Sequence, residues 1–306
     1  MDKLFTGLFV HRNKRIITTT PMFRPKHCIS NTDANVDGTT QFNNNHPLVT
    51  VIIPSYNHEK FIREAIYSVV NQTYKNIELI IIDDGSTDSS PSLIEDALQQ
   101  IDCPKVKFFV QENCGAHNTI NRGISMAKGE YIAILNSDDI YYPHRIENLL
   151  VVAMRNGCEF AFSKVDHISS DGTYLGKENE VRSVYLGAYE ASRSLPSIGF
   201  SLMKFNLAHS TSNFFMHKPI IDRVGLLDNY KAIHDWDYLL RVLLDTEPCF
   251  LDEPLMAYRV HESNTFPTLI HLGKEELDRM FSHYANAIAS GKARNPLAPP
   301  LPHSRA

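Results

Sequence analysis

Three short apolar runs, each closed by a polar or acidic cluster, constrain this chain more than any other feature. Val49-Thr50-Val51-Ile52-Ile53 leads into Pro54-Ser55-Tyr56-Asn57. Ile77-Glu78-Leu79-Ile80-Ile81-Ile82 leads into Asp83-Asp84-Gly85-Ser86-Thr87-Asp88, and Tyr131-Ile132-Ala133-Ile134-Leu135 into Asn136-Ser137-Asp138-Asp139. Short β-branched runs separated by helical stretches read as parallel strands. Parallel strands point the same way, so their C-terminal ends share one edge of the sheet, where open α/β sheets bind ligands. Four carboxylates at one edge repel one another and any phosphate. They make sense when a divalent cation and a nucleotide complete the site.

The pattern along the chain alternates. Residues 1–46 are polar, rich in Asn and Thr, and lack a sustained period, so they are expected to be a disordered N-terminal extension. From Pro47, Asn57 can cap a helix carrying Phe61, Ile62, Ala65, Ile66, Val69 and Val70 at helical spacing. Ser90-Pro91 opens a second helix, Val106–Val110 reads as a strand, and a helix over 116–127 ends at Gly129. Pro143 opens another helix running to about Arg155. This β-α-β-α-β-α-β order predicts a mostly parallel sheet with helices on both faces. Beyond it, Phe160–Val165, Asn213–Met216 and Pro248–Val260 read as strands, Asp171-Gly172 as a hairpin turn, and His234–Leu244 and Leu272–Ser290 as helices. Residues 176–210 show no clear period. The expected organisation is one domain over 47–290, with a nucleotide-binding half at 47–142 and an acceptor-side half at 143–290, and a disordered tail at 291–306.

A chain of 306 residues can bury a full α/β core. The formal net charge of -5 excludes a general nucleic-acid binder. The five cysteines are scattered with no CxxC pair, which predicts reduced structural thiols and a cytoplasmic location. No run approaches the about 20 apolar residues a membrane helix needs. Leu4–Val10 followed by His11-Arg12-Asn13-Lys14-Arg15 is compatible with weak, peripheral membrane-surface contact.

In order and spacing, these motifs resemble the family 2 glycosyltransferases of GT-A fold. Val51-Ile52-Ile53-Pro54-Ser55-Tyr56-Asn57, Gln72-Thr73-Tyr74 and the stretch Glu78 to Asp88 carry the likeness. Asn113-Cys114-Gly115, Asn121-Arg122-Gly123-Ile124 and Lys128-Gly129-Glu130-Tyr131 continue it into Asn136-Ser137-Asp138-Asp139. Thr211-Ser212-Asn213, Val224-Gly225, His234-Asp235-Trp236-Asp237 and Tyr258-Arg259-Val260-His261 complete it, so that it covers about 48–264. The resemblance implies an α/β, GT-A-type domain. It also implies transfer of a sugar from a nucleotide diphosphate, here a UDP-sugar, to an acceptor hydroxyl with inversion, assisted by Mg²⁺ or Mn²⁺. The acceptor is a glycan, a lipid-linked glycan or another hydroxyl compound.

Each candidate residue has a structural reading beside the functional one. Asp84 lies just past a buried run, where a carboxylate can accept the imide N–H of uracil. The resemblance places it there too, with Pro54 and Tyr56 flanking the ring and Asp83 nearby; turn chemistry is the alternative. Asp88 and Ser86 read as caps. Asp138 and Asp139 resemble the family's Asp-x-Asp motif, with Ser137 where its first Asp often stands. The resemblance gives Asp139 to the metal and Asp138 to the ribose or a metal-bound water. Losing a carboxylate at Ser137 implies modest metal affinity. Asp235 is implied as the general base that takes the acceptor's proton, with an N-cap as the alternative and Asp237 as the second candidate. His261 stands where some members complete the metal site, Arg259 can reach a diphosphate or form a salt bridge, and the role of His117 stays open. The Gln-x-x-Arg-Trp motif of processive synthases is absent. A sugar nucleotidyltransferase is disfavoured because the first loop is Pro-Ser-Tyr-Asn rather than Gly-rich and basic. A non-catalytic nucleotide-sugar binding protein would need Asp84 but not Asp235.

Overall fold

The apolar runs are strands, and their buried faces explain why. In the computed structural model, which describes residues 28–29, 46–101, 105–262, 264 and 273–300, β2 (Val49–Ser55), β3 (Ile77–Asp83) and β5 (Tyr131–Ile134) are buried along almost their whole length. Strands covered on both faces need continuous apolar side chains rather than alternation, which is what these runs supply. With β4 (Val106–Val110) they form a parallel core in which Val49 lies opposite both Ile77 and Tyr131, and Ser55 opposite Asp83.

The sheet continues through β8 (Phe215–His217), β7 (Phe160–Ser169), β9 (Cys249–Val260) and β1 (Cys28–Ile29), in the order β1-β9-β7-β8-β5-β2-β3-β4, with β6 (Ile140–Tyr141) paired to β9. β8 runs antiparallel to both β5 and β7. Two reversals restore the direction, so β7 and β9, parallel to each other, also run parallel to β5. Consequently the C-terminal ends of β2, β3, β5, β7 and β9 share one edge, and His261 at the end of β9 arrives beside the cluster that follows β5.

Helices cover both faces, as expected. α1 (Ile62–Val70), α2 (Ser90–Gln99) and α4 (Arg145–Asn156) bury apolar residues against one face. α3 (Ala116–Met126), α7 (Pro219–Val224), α8 (His234–Asp245) and α9 (Gly273–Ala289) serve the other. In α1, Ile62, Ala65, Ile66 and Val69 form the inward stripe at the spacing that helical geometry requires. Two further helices, α5 (Glu180–Ser192) and α6 (Ile198–Leu202), occupy the stretch that showed no period. Gly129 has a steric reason for its place. A Cβ there would lie 2.5 Å from the Thr50 backbone nitrogen, where β5 begins alongside β2.

Four expectations are corrected. Asn57 does not cap α1, which starts after Phe61; its φ is +53° and its Oδ1 accepts from Thr87 N, tying the β2 loop to the β3 loop. Within 1–46, Cys28–Ile29 pairs in parallel with Phe250 and Leu251, and the remainder up to 45 lies outside the described residues. The tail is ordered as far as 300. Arg294 N and Asn295 N donate to Leu244 O at the end of α8, and Tyr284 OH donates to Pro299 O. These backbone bonds need a partner helix that tail composition does not reveal; residues 301–306 lie outside the description. Finally, Cys158 and Cys249 form a disulfide, with Cα atoms 6.1 Å apart. They are 91 residues apart in sequence, and only the pairing of β7 with β9, which sets Ala161 opposite Cys249, brings them together. Among the described residues Cys114 keeps a free, exposed thiol. No described helix is long and apolar enough to cross a membrane.

Candidate functional site

The loop after β2 is laced to the loop after β3. Asn57 N donates to Ser86 Oγ, His58 N to Ser90 Oγ and Glu59 N to Asp88 Oδ2, while Asp84 N donates to Ser55 O. Asp88 Oδ1 also accepts from Ser90 N at the start of α2, from one residue ahead of the N-cap Ser89, while Ser86, expected to cap as well, bonds instead to Asp83 and Asn57. These bonds fix where Tyr56 stands. Its ring is 46% exposed, an uncommon state for a Tyr bound so closely to buried strands and one open to a planar ligand.

Asp83 is fully buried and turns back on its own loop, accepting from Ser86 N and Ser86 Oγ. Asp84, 3% exposed, accepts from Gln111 Nε2 at 2.7 Å, Cys114 N at 3.0 Å and Gly115 N at 2.9 Å. Burial works to raise its pKa, but the Cys114 and Gln111 hydrogen bonds outweigh it and hold the carboxyl below its usual range. Asp84 therefore stays ionised and anchors the 111–115 loop at the end of β4. Arg122 completes that rim through Gln111 Oε1.

The second acidic pair is divided by its surroundings. Asp139, 1% exposed, accepts from Ser212 Oγ at 2.5 Å on one oxygen and from Arg259 N at 2.9 Å on the other. Each oxygen thus has a donor in a buried brace that joins the β5 loop to Ser212 and β9. Asp138 instead faces two imidazoles: His261 Nε2 lies 3.0 Å from its Oδ2 and His58 Nε2 lies 3.9 Å from it. Desolvation and the adjacent Asp138 charge push Asp139 well up. Burial acts the same way on Asp138, but the bond with His261 and the charges of His58 and His261 hold it down. Asp138 is the more acidic of the two. His58, Asp138 and His261 each offer one donor atom, all within 4.8 Å of one another. A divalent cation about 2.1 Å from imidazole nitrogen and carboxylate oxygen needs donors roughly 3–4 Å apart. Two nitrogens and one carboxylate fit such an ion in number and kind.

Arg259 does not point at this opening. Its guanidinium is buried, donating to Asp138 O, Ser169 O and Ser170 O, pairing with Glu64, and stacking over Phe61. Sequence reading left a diphosphate contact open for Arg259; the geometry makes it a clamp under the loop that carries Asp138.

Asp235 lies in the first turn of α8, where Oδ1 accepts from Trp236 N and Oδ2 from Asn206 Nδ2, each at 2.8 Å. Desolvation raises its pKa, opposed by the nearby His234 charge and these two bonds. A carboxyl raised by burial is a better proton acceptor than an exposed one. Asp237 is engaged by Arg241 at 2.8 Å. Trp236 donates to Leu202 O and packs edge-on to Phe281, a half-buried structural position. Tyr258, half-buried in β9, has its phenol raised first by burial and then by the charges of Asp139, Asp138 and Asp235. His117 links the other side: burial and the His234 charge lower it, while Asp84 and Asp228 act oppositely.

Three participants were missed from sequence. Ser212, within Thr211-Ser212-Asn213, carries no sign of its bond to Asp139 in the sequence. His58 follows the Pro-Ser-Tyr-Asn loop and shows its part only once Ser137 is beside it. Asn206 lies in the stretch without a period, in a loop whose next bend, His209, adopts φ +71° and donates its N–H to Asn206 Oδ1. Nothing in the sequence marked that loop.

Comparison with known proteins agrees with the geometry. The profile of glycosyl transferase family 2 matches residues 50–225. An uncharacterized glycosyltransferase of Rickettsia typhi is 33% identical over 249 residues, covering 79% of this chain and 73% of that protein. A putative teichuronic acid biosynthesis glycosyltransferase of Bacillus subtilis is 36% identical over 131 residues, covering 43% of this chain and 52% of its own. Among solved structures, S. aureus TarS 1-349 in complex with UDP-GlcNAc aligns with TM-score 0.53 at 16% identity, over 72% of this chain and 61% of that one. The mannosyltransferase PcManGT from Pyrobaculum calidifontis, in complex with GDP-Man and Mn²⁺, aligns with TM-score 0.54 at 16% identity, over 72% and 59%. The chain thus spans about three fifths of either solved structure, and the likeness to both is one of fold.

Proposed function

The chain belongs to glycosyl transferase family 2, and from that premise we propose that it transfers a sugar from a UDP-sugar to an acceptor hydroxyl with inversion and with help from a divalent cation. One observation carries the reading. His58, Asp138 and His261 each offer a donor atom within 4.8 Å of one another at the strand-end edge that also presents Tyr56 and Asp84, while Asp235, held by Asn206, supplies a carboxylate in the first turn of α8. A non-catalytic binder has no use for Asp235.

Tyr56 and Pro54 flank the base, and Asp84, kept ionised by its three donors, is the acceptor for a ring N–H such as that of uracil. Asp83 holds the turn that carries Asp84. The expected division of the second acidic pair is exchanged: Asp138, whose Oδ2 faces His261 and His58, is the better ligand, because Asp139 is turned into the brace made with Ser212 and Arg259. When bound, the cation neutralises charge on the leaving diphosphate as a Lewis acid. Asp235 takes the proton of the incoming hydroxyl, its raised pKa favouring that transfer. Attack opposite the leaving group inverts the anomeric centre. The N-terminal segment leaves peripheral membrane contact open, and a lipid-linked glycan remains among the acceptors.

The test is UDP release and product formation with a panel of UDP- and GDP-sugars and candidate acceptors. Asp235→Asn is expected to keep donor binding by calorimetry and to lose transfer by about 10²–10⁴. Full transfer in that variant removes Asp235 from the chemistry. Tight GDP-sugar binding with no response to UDP-sugars removes the uridine assignment.

A further inference from the structure

We propose that His58, aimed by the Ser137 hydroxyl, is a third protein ligand of the cation held by Asp138 and His261, and that this two-imidazole, one-carboxylate set selects a first-row transition dication over Mg²⁺ and binds it before any nucleotide arrives. The inference rests on the sugar-transfer reading for the location of the cation and goes beyond it in ligand set, ion class and order of binding.

The argument begins with Ser137. Reading the sequence alone, a hydroxyl in place of a carboxylate removes one negative charge and predicts weak metal binding. In the folded protein that hydroxyl is buried and lies 2.7 Å from His58 Nδ1. An imidazole whose Nδ1–H donates to an oxygen carries its lone pair on Nε2, and such a partner fixes both tautomer and ring orientation for metal binding. His58 Nε2 is the nitrogen turned towards Asp138 Oδ2. The ring is held from elsewhere as well. His58 N donates to Ser90 Oγ, and the imidazole packs edge-on to Phe61 and to His261.

The opposite ligand is equally prepared. His261 N donates to Asn264 Oδ1 at 2.7 Å, and Asn264 Nδ2 donates to Arg259 O, so the turn after β9 is locked by its own hydrogen bonds. His261 Nε2 faces Asp138 Oδ2 at 3.0 Å and Asn264 Nδ2 at 3.3 Å. A nitrogen and a carboxylate oxygen that close need a proton or a cation between them, and a cation satisfies both together with His58. The three residues come from the β2 loop, the β5 loop and the end of β9, tied to one another by the Ser137 bond to His58 and the Arg259 bond to Asp138 O. The set is thus built without substrate.

Ligand chemistry then decides the ion. Mg²⁺ prefers oxygen, keeps several waters, and is usually held by one or two carboxylates plus substrate phosphates rather than by a protein cage. Imidazole nitrogen favours transition dications in the order Mn²⁺ below Co²⁺, with Zn²⁺ also strong. A site with two nitrogens and one carboxylate gives Mg²⁺ little and a transition ion most of what it needs.

The experiment is metal binding without nucleotide. The full chain, stripped with chelator, is titrated with Co²⁺, Mn²⁺ and Mg²⁺ by calorimetry and, for Co²⁺, by visible absorption. One Co²⁺ per chain is expected, at least about 30-fold tighter than Mg²⁺. His58→Ala is expected to weaken Co²⁺ at least tenfold and Mg²⁺ by less than threefold; Ser137→Ala is expected to weaken Co²⁺ about tenfold. Equal affinity for Co²⁺ and Mg²⁺, or unchanged Co²⁺ binding in folded His58→Ala, overturns the proposal. Should that variant not fold, wild-type protein decides: electron spin-echo modulation of bound Mn²⁺ is expected to show two imidazole nitrogens, and one or none overturns it. Turnover supported by Mg²⁺ with no metal bound in the absence of nucleotide sinks this inference and leaves the transferase reading intact. Absence of sugar transfer with any metal sinks the transferase reading, while the titrations still decide the ligand set.

Discussion

The chain carries two Asp-Asp pairs, each just past a buried strand of the same sheet, and they end in opposite circumstances. Asp83 and Asp84 find their donors close by in sequence, 3 residues away at Ser86 and up to 31 away at Gly115. Those donors are N–H, O–H and S–H groups of the neighbouring loops, so both acids are held as anions at the base of two loops, with no histidine among their partners. Asp138 and Asp139 are reached from 73 residues away by Ser212, 120 by Arg259 and 123 by His261. One of that pair is sealed into a brace and the other is offered to histidines. An acidic pair after a strand is therefore not yet a role. The partners that tertiary structure delivers decide which oxygen is spent and which is left for a ligand.

The contrast can be broken at four points, from the largest expected effect to the smallest. Asp138→Ala should lower kcat/KM by about 10³ or more, the scale of a lost Lewis-acid contribution, with the chelator-stripped protein losing only about 1–2 kcal/mol of stability, because Asp138, like Asp84, is held below its usual range by its partners. Parallel steady-state assays and thermal melts check this, and a stability loss as large as the activity loss would erase the distinction from Asp139. Arg259→Ala should instead show up in denaturant unfolding, by about 3 kcal/mol, because the carbonyls of Asp138, Ser169 and Ser170 lose a buried donor. Its partner Glu64 has a side chain 54% exposed, and water replaces the Arg for it, so Glu64→Gln should cost far less.

The third point is the sign of the pH dependence. Asp84 is depressed in the folded protein, so its contribution is present above the unfolded value near 3.8 and is lost as pH falls through the lower folded value. Asp84→Asn should therefore cost about 1–2 kcal/mol at neutral pH, with the gap to wild type closing in acid. Asp139 is raised, so its contribution is fully present below 3.8 and is lost as pH rises through the folded value. In chelator, the gap between wild type and Asp139→Asn should run the other way, shrinking towards neutral pH. Equilibrium unfolding from pH 3 to 7 measures both, and slopes of the same sign would show that the two pairs are alike after all. The fourth point is Asn206→Ala, which removes one hydrogen bond to ionised Asp235. A loss of about tenfold in kcat is expected, the scale of one charge-assisted bond. The acid limb of the kcat profile, already above 3.8 in wild type because burial raises Asp235, should move further up. A lower kcat with an unmoved limb would make Asn206 purely structural.

Much of the first half was legible in sequence. The strands β2 to β5 and their helices appear where the apolar runs and the 3.6-residue stripes place them, because a doubly covered parallel strand imposes an unbroken hydrophobic run. The shared edge followed from direction alone. What was not legible depends on contact. Thr50 and Glu78 interrupt apolar runs, yet Thr50 Oγ1 donates to Glu78, Lys107 pairs with Glu78, and Gly129 N donates to Thr50, a buried network that fixes the start of β5. The 176–210 stretch forms α5 and α6, whose apolar residues are divided between the two faces of the sheet, Tyr185 on the first and Tyr189, Ile198 and Leu202 on the second, rather than set at a strict period. The ordered tail and the disulfide follow from packing in the same way.

The sequence by itself determined the layered sheet, the edge where its polar residues gather and the family to which the chain belongs, because hydrophobic periodicity and turn chemistry are local properties. Only the tertiary structure decided which acid of each pair is available, that Ser137 aims an imidazole, and that a loop around Asn206 grips Asp235. Those outcomes turn on hydrogen bonds between segments as close as 29 residues, for Asn206 and Asp235, and as distant as 123, for Asp138 and His261; their energies depend on burial and on distances of a few ångströms, and no linear pattern encodes either.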